Sequence, residues 1–172
     1  MPLSFKTDEG RFTYRVAGIA LRDDHVLLGT EAHIDFWYLP GGRPEFGETL
    51  RGALKREMLE ELRAEVEVGR LALVVENFFG HVHERHHGIG LYFLMSLPEA
   101  LTDKEEVYEG LEHDADAIRD TVGASGALEL SFRWFHLSRV ATLDVRPKCL
   151  RKALTNLSET TQHLINFEGF SD

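Results

Sequence analysis

The sequence predicts a fold of mixed α and β structure, and three observations carry that prediction. Runs rich in aromatic and β-branched residues, each of strand length, recur between Arg11 and Leu137. Among them lies one segment, Thr49–Leu62, with no proline and mostly strong helix formers. A second segment with helical apolar spacing, opened by Pro147, closes the chain. Spacing alone goes no further than α and β together.

Residues 1–10 read as a loose lead-in. Arg11–Leu21 reads as a strand, Arg22-Asp23-Asp24 as a turn and His25–Gly29 as its hairpin partner. Phe36–Leu39 is a short strand that delivers the chain into Pro40-Gly41-Gly42-Arg43-Pro44, which cannot hold a regular element. The helix follows, with Thr49 placed as N-cap. Val66–Phe79 and Ile89–Leu97 are two further strands, joined across Gly80–Gly88, and their untidy alternation fits strands covered on both faces. Pro98–Ser125 is acidic with little apolar periodicity and reads mostly as a long surface loop. Ala127–Leu137 is the last strand, with Leu128, Leu130, Phe132 and Trp134 on one face. Pro147 suits the first turn of a closing helix that runs to about Leu157, with residues after Thr160 extending it or fraying. No repeat, linker or low-complexity tract interrupts residues 1–172, so a single domain is expected, its core at about residues 11–158.

Composition narrows the function classes. Hydrophobic content of 43% beside 28% charged residues is that of an ordinary globular protein. With 19 Lys and Arg against 29 Asp and Glu, the formal charge is −10. Such a surface argues against nucleic acid or membrane as partner, both of which want basic patches. A small anionic substrate remains compatible if cations neutralise the local field. Cys149 is alone, which removes an intrachain disulfide and suits a reducing compartment. No signal-peptide core and no apolar run near the roughly 18 residues of a membrane span appears, so the cytoplasm is the expected location.

The helix carries the chemistry. Glu57, Glu60 and Glu61 stand at i, i+3 and i+4 and converge on one side. At about 100° per residue, Leu50, Ala53, Leu54, Met58 and Leu62 form one apolar stripe. Glu57 and Glu61 fall inside that stripe and Glu60 at its edge. A merely solvated acidic helix would turn its glutamates outward. Three carboxylates on a buried-leaning face repel one another unless something positive sits among them, and hard divalent cations such as Mg²⁺ take such oxygen ligands. Pairing with Arg56 or Lys55 is the alternative.

Gly42, then Glu48 after five residues, then Arg56-Glu57-Met58-Leu59-Glu60-Glu61 after seven more, resembles the Nudix box, G-x5-E-x7-R-E-U-x-E-E-x-G-U. The match covers Gly42–Ala64, and one position departs from it: the late glycine is Arg63, followed by Ala64. The resemblance implies a three-layer α/β/α sandwich around a mixed β-sheet. It implies a Mg²⁺-dependent hydrolase, with Mn²⁺ as a substitute, in which water attacks phosphorus in a nucleoside diphosphate linked to another moiety. An ADP-ribose or nucleotide-sugar substrate is slightly favoured. A nucleoside triphosphate pyrophosphohydrolase and a non-catalytic nucleotide sensor are the alternatives. An mRNA decapping enzyme fits poorly, because no basic stripe is present.

By resemblance Glu57, Glu60 and Glu61 match metal-ligand positions, with the Gly41 carbonyl as a further ligand. Glu57 and Glu60 are the expected catalytic pair, with Glu57 as general base. Glu109 and Glu112 are alternatives from the acidic segment. Glu48 and Arg56 are expected to form an ion pair that orients the loop on the helix. Arg15, Phe79 and Tyr92 are candidates for substrate contact, and Trp37 and Trp134 are further aromatics with either a stacking or a core role. His81, His83, His86 and His87 form a cluster open to two readings, a metal site or a polar connection. A homodimer is compatible with the resemblance.

Overall fold

The computed structural model describes residues 3–81, 84–112 and 128–169. Among the described residues eight strands form one mixed sheet: β1 (Ser4–Thr7), β2 (Gly10–Arg22), β3 (His25–Glu31), β4 (Glu67–His81), β5 (Glu84–Ser96), β6 (Val107–Glu112), β7 (Leu128–His136) and β8 (Gln162–Phe167). Its order is β6-β7-β3-β2-β5-β4-β8, with β1 on β2. The long strand β2 joins the two halves of the sheet. From Arg11 to Ala20 it pairs β5 in parallel, and its last two residues, Leu21 and Arg22, pair β3 as a hairpin. β4 and β8 are also parallel, and the other pairs are antiparallel.

Among the described residues three α-helices lie on the sheet: α1 (Leu50–Leu62), α2 (Leu137–Val140) and α3 (Leu150–Thr155). Two apolar clusters show which face each covers. Ala53, Leu54, Met58 and Leu62 of α1 pack with Val16, Ala20, Leu27 and Phe132. Val140 of α2 and Leu150, Ala153 and Leu154 of α3 pack with Ala17, Ile19, Leu28 and Val75. Consecutive residues of β2, Val16 and Ala17, are thus both fully buried, on opposite sides. Helix, sheet, helix is the layering the family resemblance implies, and β2 is buried without a break from Val16 to Ala20 because both of its faces are covered.

Several boundaries differ from expectation. The lead-in holds β1, drawn into order by pairing with β2. Phe36–Leu39 forms only isolated bridges, Tyr38 to Gly29 and Trp37 to Val145. The Gly80–Gly88 connection is mostly strand, as β4 runs to His81 and β5 starts at Glu84. The acidic loop contains β6, whose pairing with β7 overrides its poor strand composition. The closing helix stops at Thr155, and the chain after Thr160 returns as β8, parallel to β4.

Candidate active site

The chain enters α1 through a turn pressed against β2. Pro40 and Gly42 give their carbonyls to the Gly18 and Val16 amides (2.9 Å each), and Gly41 carries the carbonyl between them. Gly41 has φ +138°, and a Cβ there would meet the Val16 carbonyl at 2.3 Å, so no other residue fits. A Cβ on Gly42 would stand 2.2–2.4 Å from the carboxylate atoms of Glu57. The glycine pair therefore brings main chain directly against that carboxylate.

Helix α1 begins where Thr49 Oγ1 accepts the Gly52 amide at 3.1 Å, and it ends at Arg63, which takes the left-handed conformation with φ 52°. Glu57 and Glu61 are buried, 6% and 4% exposed, while Glu60 reaches solvent. Arg56 is the hub. Its Nε and Nη2 donate to the two oxygens of Glu48 at 3.0 Å each, and Nη2 also reaches the Arg43 carbonyl at 3.2 Å. Its Nη1 donates to Glu57 at 2.9 Å and Glu60 at 3.1 Å. Hydrogen bonding from Arg56 holds the Glu48 carboxyl below its ordinary value, and the same contact raises the guanidinium further. One cation thus ties together the loop, the residue before the helix and two carboxylates.

Gly41 and Glu61 open onto a cleft of about 500 Å³, and Arg15, Phe79 and Tyr92 line it as well. Arg15 lies over the Tyr38 ring at 5.6 Å and donates to the Leu39 carbonyl at 3.4 Å. Tyr92 is buried, and that burial pushes its hydroxyl well above the usual tyrosine range. Tyr38 shifts the same way, through burial first and then its neighbour Glu31.

Other expected residues stand elsewhere. Glu60 and Glu61 border a second cavity of about 480 Å³ with Glu109, which accepts from Ser131 Oγ at 3.2 Å. Glu112 closes β6. Trp134 packs in the α1-side core, and Trp37 packs edge-on to Phe135 on the other side. His86 stacks on Phe79 and His87 lies between Phe12 and Phe78, so these neighbours on one strand face opposite ways. His83 lies outside the described residues. Among the described residues no three His, Cys, Asp or Glu side chains converge as a ready-made cation site.

Sequence reasoning missed several polar residues of the cleft, among them Thr13, Glu31, Asn77, Arg146 and Glu168. Arg146 grips Asp144 with two hydrogen bonds of 2.9 and 3.0 Å and also binds Glu168. Only Asn77 left a local signal, an amide inside an apolar run.

No described helix is long and apolar enough to cross a membrane. A family model described as the NUDIX domain matches residues 12–148. Diphosphoinositol polyphosphate phosphohydrolase 2 of Rattus norvegicus is 32% identical over 103 residues, 58% of this chain and 54% of that protein. The chain thus spans about half the length of the curated relatives it matches. Among solved structures, a UDP-X diphosphatase has a TM-score of 0.57 at 16% identity, covering 88% of this chain and 66% of that one. An ADP-ribose pyrophosphatase of Streptococcus suis has a TM-score of 0.53 at 15% identity, covering 88% and 97%. At these identities the two structures speak for the fold alone. With the family model spanning most of the sequence, the chain belongs to the NUDIX family.

Proposed function

We propose that the protein hydrolyses a pyrophosphate bond in a nucleoside diphosphate linked to another moiety, with Mg²⁺ as cofactor and Mn²⁺ as a substitute. The observation that carries this reading is the buried pair Glu57 and Glu61, set against a glycine turn at the mouth of a cleft that also holds Arg15 and aromatic rings. The donor set suits a hard cation: three carboxylates and a main-chain carbonyl, all oxygen, on a rigid helix and a constrained turn. Glu57, Glu60, Glu61 and the Gly41 carbonyl would hold it, once Glu60 and Glu57 exchange their contacts with Arg56. When bound, the ion supplies positive charge against the diphosphate and the charge that builds in its transition state.

The chain's own groups do the rest. Glu57 is the base that takes the proton from attacking water, and Glu60 acts beside it. Arg15 meets a phosphate, while Phe79 and Tyr92 border the organic part of the substrate. Arg56 and Glu48 position α1 on the loop and do not touch the reacting atoms.

A relative is named for diphosphoinositol polyphosphates, ligands that by name carry many phosphates. This cleft lines up two arginines with three acids, Glu31, Glu61 and Glu168, among apolar and aromatic side chains. That mixture suits a ligand with one anhydride and a flat apolar base, which favours a nucleotide sugar or ADP-ribose over a densely charged ligand. The corresponding setting is cytoplasmic, with a small-molecule substrate and no nucleic acid or membrane partner. Light scattering tests whether the chain is a homodimer. The function is tested by incubating a panel of ADP-ribose, nucleotide sugars, nucleoside triphosphates and diphosphoinositol phosphates with Mg²⁺ and reading released phosphate after phosphatase. Turnover of the diphosphates with an organic group at both ends is expected. Turnover of triphosphates alone would shift the substrate class, and no turnover at all would leave a nucleotide sensor.

A further inference from the structure

At the end of the cleft away from Glu61, the floor is bare sheet. Thr13, Gly88 and Asn77 pair side by side across β2, β5 and β4, and all three line the cleft. A Cβ on Gly88 would stand 2.7 Å from Thr13 Oγ1, so the glycine leaves a flat trench between Thr13 and Asn77. Phe79, one alternate position along β4, stands beside it and is 37% exposed. A planar ring fits such a floor.

What faces that ring is set from behind. The Cys149 amide can only donate, and it donates at 3.1 Å to Asn166, whose facing atom must therefore be Oδ1. This turns Asn166 Nδ2 toward Asn77 and Glu168. Glu168 is an acceptor and takes one N–H at 3.1 Å. Asn77 must then present Oδ1, and it does so at 2.7 Å. Asn166 is 5% exposed, and these contacts use both of its N–H groups. The amide nitrogen of Asn77 is what remains, a donor without an acceptor among the described residues, on a residue that lines the cleft. A backbone N–H, acting through a buried asparagine, has fixed which way the cleft asparagine points.

We propose that Asn77 is a specificity-determining residue that donates to an acceptor edge of the base, so that uracil and guanine nucleotides are preferred over adenine nucleotides. The inference rests on the nucleotide reading above and, within it, favours nucleotide sugars with a keto base over ADP-ribose. Guanine offers adjacent acceptors at O6 and N7, and uracil offers carbonyls, whereas adenine sets an amino donor beside its acceptors. An amide held with N–H₂ outward meets that amino group donor to donor. Asn166 is a positioning residue, since it acts only through Asn77.

The test uses the full chain with Mg²⁺ and three substrates that differ only in base: UDP-glucose, GDP-glucose and ADP-glucose. Binding of UMP, GMP and AMP by calorimetry runs beside it, because monophosphates have no anhydride to cleave. Expected is a preference in kcat/KM for at least one keto base over adenine of about tenfold or more, carried by KM and repeated in the binding constants. Asn77→Asp keeps the acceptor for Asn166 and turns the donor into an acceptor; it is expected to bring the ratio to about one or below. Asn166→Ala, away from the ligand, is expected to lower the ratio toward one while kcat stays within about twofold. A preference unchanged in Asn77→Asp with an unaltered melting curve, equal use of all three bases, preference for adenine, or no binding of any monophosphate would each overturn the proposal. Base-selective binding without turnover would sink the hydrolase reading and keep this one; turnover blind to the base would do the reverse.

Discussion

Beside Glu61, charge is fixed by a single helix; at the sheet end of the cleft, polar groups are assembled from separate stretches of chain. On α1, Arg56 reaches Glu48, Glu57 and Glu60, all within 8 positions of it, so one side chain organises the acids. At the sheet end, Asn77 is set by Asn166, 89 positions away, and Arg146 by Glu168 across 22. The first arrangement suits a group that must hold charge at a reacting centre, since a helix fixes side chains without further help. The second suits recognition, where each wall can change without disturbing the others. The difference makes a prediction: damage at the helix end lowers kcat, and damage at the sheet end raises KM.

The sharpest break of that comparison is Glu61→Gln. Glu61 is buried and opens onto the cleft, so removing its charge should lower kcat by about two to three orders of magnitude, the usual loss when one charge-stabilising group is taken from a site. Because two neighbouring carboxylates repel, the fold should hold or gain stability. Phosphate release and a thermal melt read both. Activity within a factor of about three of the parent would remove Glu61 from the site.

Arg56→Ala comes next and acts on stability. It leaves Glu48 without its partner and Glu57 buried beside Glu60, at a cost of about 2–3 kcal/mol. Lys restores little, because the contact to Glu48 is a two-pronged fork. The pH dependence follows from Glu48, which Arg56 holds below its ordinary 4.5. A carboxyl with a depressed folded value stabilises fully above its unfolded value and loses that contribution as pH falls through the folded one. Parent stability should therefore fall between about pH 5 and 3, and the variant's should fall less steeply. Asp144, held low by Arg146 at the sheet end, keeps part of the slope in both proteins. Urea midpoints across that range decide it; identical slopes would place the acid lability elsewhere.

How much of each end was legible follows from the same contrast. The acids of α1, their inward phase and the ion pair lie within one short run, where the helical repeat converts spacing into direction. The burial of Glu57 and Glu61 beside the exposure of Glu60 could be read from the wheel. Glu168 and β8 could not, and Asn77 showed only as an amide inside an apolar run. Gln162-His-Leu-Ile-Asn-Phe becomes a strand because β4 offers it an edge, which no local feature announces. β6 was hidden in the same way, since Glu109 and Glu112 gave it the look of a surface loop until β7 paired with it.

Phe79→Ala probes the sheet end. The ring is exposed at the cleft and stacks on His86 at 4.7 Å, so its loss should cost the fold little. Loss of stacking on a base is expected to raise KM about tenfold with kcat nearly unchanged. A fall in kcat as large as that of Glu61→Gln would erase the division of labour between the two ends.

The smallest effect tests the one place where the helix end departs from its family's pattern. Arg63 stands where the Nudix box has glycine, and the left-handed conformation there is one that a side chain resists. The helix nevertheless terminates as if the glycine were present, with the Arg63 amide bonded to the Met58 carbonyl and the Ala64 amide reaching the same oxygen at 3.2 Å. Packing of Leu62, Ala64 and Val66 into the core holds the turn against the strain. Arg63→Gly should release roughly 0.5–1 kcal/mol of that strain, less what glycine's added freedom in the unfolded chain returns. For a chain of this size the melting temperature should rise by about 1–3 °C, with activity unchanged. Lowered stability would show that the arginine side chain earns its place through contacts on the surface of the helix end, and that the turn is less strained than its backbone angles imply.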